Sequence, residues 1–190
     1  QIQLEFVIKV TMLDWFISLS MQVSKLKVSF HQEHYALQLL DKFNGWLLKY
    51  CANSKGEIIM KDTPGIPGGV LHKGQLPQNE LEEAQVAGFP YAQLTGALLY
   101  LCNSSRFDLI VAVGNCAKFM SKFGWEHILA ALHILQYLAK YPKLPVTYRW
   151  MPNGSGLVLT YEADASYADD SDTARSRWGG TGFLSQAAVD

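Results

Sequence analysis

The chain has 190 residues, of which 49% are hydrophobic, and its 16 basic residues nearly balance 17 acidic ones. This length and composition allow a buried core and exclude wholesale disorder. The balanced charge argues against a broadly basic surface, so any groove for nucleic acid must be local. Three widely spaced cysteines without a CxxC pair point away from a disulfide framework and from a zinc site.

Neither a signal peptide nor a transmembrane helix is predicted. No cationic-then-apolar leader precedes the first strand-like segment, and the chain starts at Gln1 as though cut from something longer. The apolar stretch at 13–21 is interrupted by Asp14 and by serines, and it is shorter than the roughly 20 apolar residues that cross a bilayer. An intracellular protein with no membrane partner is therefore expected.

The first third of the chain predicts a β-hairpin, a helix and a tether. Residues 6–21 and 26–30 are rich in strand-forming side chains. Apolar residues at near-helical spacing then predict a helix over 34–48 that stops near Gly45. Prolines and glycines cluster over 53–80, which predicts a tether with little regular structure.

Three further helices and an incomplete sheet are predicted after the tether. Apolar residues recur at helical spacing in three segments, 91–102, 108–120 and 125–140. Short breaks between these segments favour a compact antiparallel bundle, with Pro90 in a first turn and Asp108 as an N-terminal cap. Strand-like segments follow at 146–150, 157–163 and 181–189. The fold class is therefore expected to be α+β.

Several blocks of residues share their order with one known family. They are Trp15-Phe16-Ile17-Ser18-Leu19, Gln32 and Tyr35 with residues 39–43, Thr63-Pro64, the helical block from Phe89-Pro90-Tyr91 to residue 138, and Asp164-Ala165-Ser166-Tyr167 with residues 174–180. In this order they resemble the copia-type retrotransposon polyprotein, from the end of its reverse transcriptase into the start of its ribonuclease H domain.

The resemblance implies a division of the chain. It places the reverse transcriptase hairpin and helix at 1–50, the tether at 51–89, a three-helix thumb at 90–141 and a truncated ribonuclease H-like sheet at 142–190. Two residues depart from the family pattern. Ser18 stands where the family's hairpin has glycine, and Phe107 stands where the family has proline.

Asp164 is the residue to which the resemblance assigns catalysis. Ribonuclease H hydrolyses the RNA of an RNA–DNA hybrid with two divalent ions held by several carboxylates, and oxygen ligands of this kind suit Mg²⁺. The resemblance implies that Asp164 is the first of these metal ligands. Without it, an aspartate that starts a turn is the simpler interpretation. The remaining acids would lie beyond Asp190, and the polymerase carboxylates upstream of Gln1, so neither active site is expected to be complete.

The tetrad Tyr167-Ala168-Asp169-Asp170 spells the Tyr-x-Asp-Asp signature of reverse transcriptase catalysis. That signature needs apolar strands on both sides, whereas the flanking residues here are polar and turn-like. It also follows the thumb block instead of preceding it. A loop is therefore the favoured interpretation.

Contacts with nucleic acid are implied at the hairpin and at three arginines. The resemblance makes Phe16, Ile17 and Ser18 part of a primer grip, and cationic side chains would meet phosphates of a primer–template duplex or an RNA–DNA hybrid. The arginines are Arg106, Arg175 and Arg177. An ordinary solvated charge is the competing interpretation for each of them.

Two functional hypotheses follow. In the first, the parent polyprotein copies RNA into DNA and degrades the hybrid in a cytoplasmic virus-like particle or in the nucleus, and this chain binds duplex together with the rest of the polyprotein. In the second, the chain is an inert remnant that acts only as a structural or interaction module. An unrelated hydrolase using His127 or His133 has little support, because no Gly-x-Ser-x-Gly elbow occurs.

Overall fold

The computed structural model describes residues 15–16, 18–24, 27–66, 68–149, 159–168, 170, 172–184 and 187–189. The helices in this part of the chain are α1 (Glu33–Lys42), α2 (Asn44–Cys51), α3 (Glu80–Val86), α4 (Tyr91–Ser104), α5 (Ile110–Ala117) and α6 (Trp125–Lys140). The strands are β1 (Trp15–Phe16), β2 (Leu19–Ser24), β3 (Lys27–His31), β4 (Val146–Arg149), β5 (Leu159–Ser166), β6 (Arg177–Leu184) and β7 (Ala187–Val189). The predicted α+β fold class is confirmed.

Helix α6 forms the centre of the core. Ten of its residues are buried: His127, Ile128, Ala131, Leu132, His133, Ile134, Leu135, Gln136, Tyr137 and Leu138. A helix buried on most of its circumference must be surrounded by other elements, and α1 to α5 all pack against it. Its bounds agree with the predicted helix over 125–140, because its apolar residues repeat at helical spacing throughout.

The N-terminal sheet contains four antiparallel strands in the order β1-β2-β3-β4. The predicted hairpin is present in β2 and β3, which pair up to Ser24 and Lys27. Residues 6–14 of its predicted first strand lie outside the described residues, and the described remainder is divided into β1 and β2. Strand β4 pairs with β3, with Val146 opposite Phe30, so the sheet includes residues that the sequence-based division placed after position 142. The edge of the Phe30 ring contacts Tyr148 at 6.0 Å between centroids, which gives β4 an apolar partner on β3.

The predicted helix over 34–48 is two helices. The chain bends at Phe43, between α1 and α2, and the bend buries this side chain to 1% exposure against Phe89, at 6.4 Å between ring centroids. Gly45, the predicted stop, lies inside α2. The break therefore lies at a buried aromatic side chain, two residues before the predicted stop.

The tether packs along α6 and is hydrogen-bonded to it. The His133 imidazole hydrogen-bonds the Thr63 carbonyl at 3.0 Å, and the Gln136 side-chain amide donates to the Ile59 carbonyl. The same segment includes α3, whose cap, Asn79, accepts a hydrogen bond from the Glu82 N–H at 2.9 Å. The Asn-x-x-Glu spacing is the sequence signal that predicts such a helix start.

Gly124, at the start of α6, lies close to the backbone of the tether. A Cβ atom at this position would lie 2.0 Å from the Gln75 carbonyl oxygen, and the backbone at Gln75 cannot move aside as a flexible side chain would. The glycine at the start of α6 is therefore required for steric reasons.

Gly124→Ala is expected to lower the free energy of unfolding by about 1–3 kcal/mol, the usual cost of overpacking. Urea unfolding followed by circular dichroism measures this change. The matched control is Gly96→Ala on α4, where an added Cβ meets nothing within 4 Å and should stabilise the helix by about 0.5–1 kcal/mol. Equal effects of both substitutions would contradict the steric explanation.

Stability should fall as the solution becomes mildly acidic. Burial lowers the pKa of both His127 and His133 below the ordinary value of 6.5. Near pH 6.5 the two imidazoles therefore bind protons in the unfolded chain but stay neutral in the folded chain. Below that pH each histidine lowers the free energy of unfolding by up to about 1.4 kcal/mol per pH unit.

Urea unfolding at pH 7.5, 6.5 and 5.5 tests this expectation. The dependence on pH should be weaker in His127→Gln than in the unsubstituted chain. His34→Gln, on the exposed side of α1, is the control and should retain the full dependence. A pH profile that His127→Gln leaves unchanged would mean that the buried imidazole is not responsible.

Candidate functional site

Asp164 lies within β5 of a second sheet, a three-stranded antiparallel arrangement in the order β5-β6-β7. The strand extends to Ser166 and so includes Asp164, which the sequence placed at the strand end. Asp164 is opposite Gly179 on β6. Its carboxylate is exposed and accepts a hydrogen bond from the Ala165 N–H at 2.8 Å.

The described residues do not assemble a metal site around Asp164. Glu162 is two residues away on the same face of β5, but no group of three or more His, Cys, Asp and Glu side chains within the described ranges could hold an ion. A two-metal hydrolysis needs several converging carboxylates. The described residues alone therefore do not supply the carboxylates that the Mg²⁺ pair of a ribonuclease H needs.

The loop that contains the Tyr-x-Asp-Asp tetrad is joined to the helical bundle by an ion pair. The Lys118 ammonium donates to the Asp170 carboxylate at 2.7 Å, and this contact holds the pKa of Asp170 well below its usual range. Asp170 also accepts hydrogen bonds from the N–H groups of Asp172 and Thr173. The Asp172 carboxylate in turn accepts from the Lys73 N–H at 2.9 Å. These bonds give Asp170 a structural role in a turn.

Arg106 is an internal residue. Its guanidinium is 1% exposed and donates two hydrogen bonds to the Asp108 carboxylate, at 2.9 and 2.8 Å. A third goes to the Tyr141 carbonyl at 2.8 Å, and the guanidinium lies 5.6 Å from the centre of the Tyr137 ring. Phosphate cannot reach a group enclosed in this way. Asp108, expected to cap a helix, instead forms this ion pair.

The remaining predicted contacts lie on separate elements. Phe16 ends β1 and is opposite Leu19 on β2, whereas its side chain and Ile17 lie outside the described residues. Arg175 is exposed in the loop before β6, and Arg177 begins β6, although its side chain is not described.

Ser18 has an unusual backbone conformation. It connects β1 to β2 and has φ of 63°, in the left-handed region that disfavours residues with a Cβ atom. Glycine adopts this conformation without steric cost. The position at which this chain has serine and the family pattern has glycine is therefore one whose backbone conformation favours glycine.

The cysteines and His127 do not form a nucleophilic site. All three cysteines are buried, and burial raises the pKa of Cys116 to about 11 and that of Cys102 to about 12. Thiols that stay protonated are weak nucleophiles. His127 accepts a hydrogen bond from the Gly124 N–H at 3.0 Å and lies 4.1 Å from the Phe119 ring, so its environment is a packed core.

A cavity of about 440 Å³ opens between the tether and helices α5 and α6. Its walls include Ile66, Val70, Val111 and Leu129, which are apolar. Asp164 does not line it. The cavity is therefore separate from Asp164, the residue to which the family resemblance assigns catalysis.

Comparisons with known proteins identify relatives among transposons. The chain is 30% identical over 158 residues to the retrovirus-related Pol polyprotein from transposon TNT 1-94 of Nicotiana tabacum, covering 83% of this chain and 11% of that polyprotein. It is 31% identical over 100 residues to a putative transposon Ty5-1 protein of Saccharomyces cerevisiae, covering 53% of this chain and 32% of that protein. The chain thus spans less than a third of the length of either relative.

No protein-family model matches the chain, and no solved structure matches it. Within the described ranges, no helix is both long and apolar enough to cross a membrane. The two relatives nevertheless support the general expectation from the sequence: this chain is similar to a segment of retrotransposon polyproteins.

Proposed function

We propose that this chain is the thumb and the start of the ribonuclease H domain in a copia-type polyprotein, and that it holds nucleic acid duplex without cutting it. The observation that carries the proposal is the similarity to the tobacco Pol polyprotein along 83% of the chain. The order of elements supports it, because a hairpin, a helical bundle and a separate antiparallel sheet follow one another as the family resemblance implies.

The proposed contact with the duplex positions the nucleic acid and takes no part in its hydrolysis. Asp164 is kept as a candidate ligand for Mg²⁺, but the described residues supply no converging set of acids beside it. Hydrolysis would need carboxylates from outside the described residues. The chain alone is therefore proposed to be inactive as a nuclease.

The distribution of cations makes the proposed binding weak and local. Lys118, Lys140 and Lys143 each pair with an acidic residue of the same chain, and Arg106 is enclosed. These four side chains are therefore not free for phosphates, whereas exposed Arg175 belongs to no ion pair among the described residues. The internal pairing favours the second candidate function, an inert interaction module, because it lowers the positive charge available to nucleic acid.

Binding of a fluorescently labelled RNA–DNA hybrid separates the two candidates. Anisotropy titrations between 50 and 200 mM salt should give an affinity that weakens with a logarithmic slope of about −2 to −4, corresponding to a few phosphate contacts. An inert module would show no salt-dependent binding. Incubation of the same hybrid with Mg²⁺ should leave it intact, and cleavage that disappears in Asp164→Asn would refute the proposed inactivity.

Ser18→Gly should raise the free energy of unfolding by about 0.5–1 kcal/mol. It removes the steric strain of a Cβ atom in a left-handed conformation, and this gain exceeds the conformational entropy that a glycine loses on folding. Thermal or urea unfolding measures the difference. Ser20→Gly, inside β2, is the matched control and should destabilise the sheet. Destabilisation by Ser18→Gly would show that the serine side chain has a role that outweighs backbone strain.

A further inference from the structure

On strands β2, β3 and β4, one face of the N-terminal sheet carries only polar residues, whereas β1 places Trp15 opposite Ser20 of that face. Alternate residues of a strand point to the same face, and residues opposite each other in register share it. Lys27 is opposite Ser24 on one side and Arg149 on the other. We call this side of the sheet the polar face; its members are Ser20, Gln22, Ser24, Lys27, Ser29, His31, Thr147 and Arg149.

The polar face is covered at one end and open at the other. Ser29 and His31 are buried, and the Ser29 and Thr147 hydroxyls hydrogen-bond each other at 2.9 Å. Ser24, Lys27 and Arg149 are exposed at the opposite end. We call these three residues the cationic row. The open part of the face therefore carries two positive charges beside hydroxyl groups.

The two cations of the cationic row are directly opposite each other on adjacent strands. Cβ atoms of such residues are about 4.5–5.5 Å apart, and like charges in this position repel. Neither Lys27 nor Arg149 belongs to an ion pair among the described residues, whereas four other lysines bind carboxylates of the chain: Lys118, Lys122, Lys140 and Lys143. An anion placed between them would replace repulsion with attraction.

We infer that the cationic row binds phosphates of a nucleic acid backbone. The inference deepens the proposed function and rests on it. Lys and Arg side chains, together with Ser and Gln, are the groups that contact phosphate oxygens in protein–nucleic acid complexes, and Gln22 continues the exposed polar face from the row. Such contacts position the strand and carry no sequence preference.

The chemistry of the sheet favours nucleic acid over an anionic membrane. A surface that binds lipid inserts apolar side chains beside its cations. Here the apolar residues of the same strands, such as Val23, Phe30 and Tyr148, alternate with the polar ones and so lie on the opposite face. The cationic row is surrounded by hydroxyl and amide groups, which suit a phosphodiester chain.

The test uses the full chain and the labelled RNA–DNA hybrid. A double variant, Lys27→Gln with Arg149→Gln, should bind at least about tenfold more weakly at 50 mM salt. Its logarithmic salt slope should be smaller by about 1.8, since each lost phosphate contact contributes about 0.9. Arg149→Lys should keep most of the slope. Lys55→Gln, an exposed lysine in another turn, should leave both quantities unchanged.

Stability provides a second readout. Because Lys27 and Arg149 repel each other, Arg149→Gln should not lower the free energy of unfolding. Weaker binding without weaker folding would identify a contact with ligand. If the double variant does not fold, each single variant should still reduce the salt slope by about 0.9.

The outcomes distinguish failure of this inference from failure of the proposed function. If the unsubstituted chain does not bind the hybrid, both the proposed function and the inference about the cationic row are wrong. Binding whose slope is the same in the double variant would overturn the cationic row alone. Tighter binding to phosphatidylserine vesicles than to the hybrid, lost in the double variant, would overturn the nucleic acid assignment and identify a lipid surface.

Discussion

The burial of α6 is the constraint on which the rest of the structure depends. A helix with almost no solvent-facing side needs apolar partners around it, and five other helices supply them. It also carries buried polar groups, which cost about 1–3 kcal/mol each if left without a hydrogen bond. The carbonyls of Ile59 and Thr63 satisfy Gln136 and His133. A tether rich in proline and glycine is therefore ordered by the helix it covers.

The same packing decides where charge remains available. The core encloses Arg106 with Asp108, and Lys118 joins the loop of the second sheet to the bundle through Asp170. These ion pairs bring together parts of the chain distant in sequence. Charges paired in this way attract a polyanion less strongly, so the proposed contact with nucleic acid depends on cations without such a partner, such as Lys27 and Arg149.

Local patterns in the sequence located α4, α5 and α6, but they missed α3, the break between α1 and α2, and the contacts between distant residues. Periodicity predicted α6 because its apolar repeat is uninterrupted, and strand-like composition placed Asp164 on or beside a strand. Pairing of β4 with β3 depends on a register between residues more than 100 positions apart, which no local pattern contains. The burial of Arg106 was missed for the same reason, since Tyr141 and Tyr137 enclose it from a distant helix.

The second sheet leaves large side chains of one face uncovered. Leu159, Tyr161 and Trp178 are 69%, 61% and 79% exposed, and the Tyr161 ring extends over Gly180. Exposed apolar side chains that share one face of a sheet promote self-association of soluble proteins. Purification of the isolated chain will therefore demand dilute conditions, and polar replacements of Leu159 and Trp178 are the rational route to a well-behaved sample for crystallisation or spectroscopy.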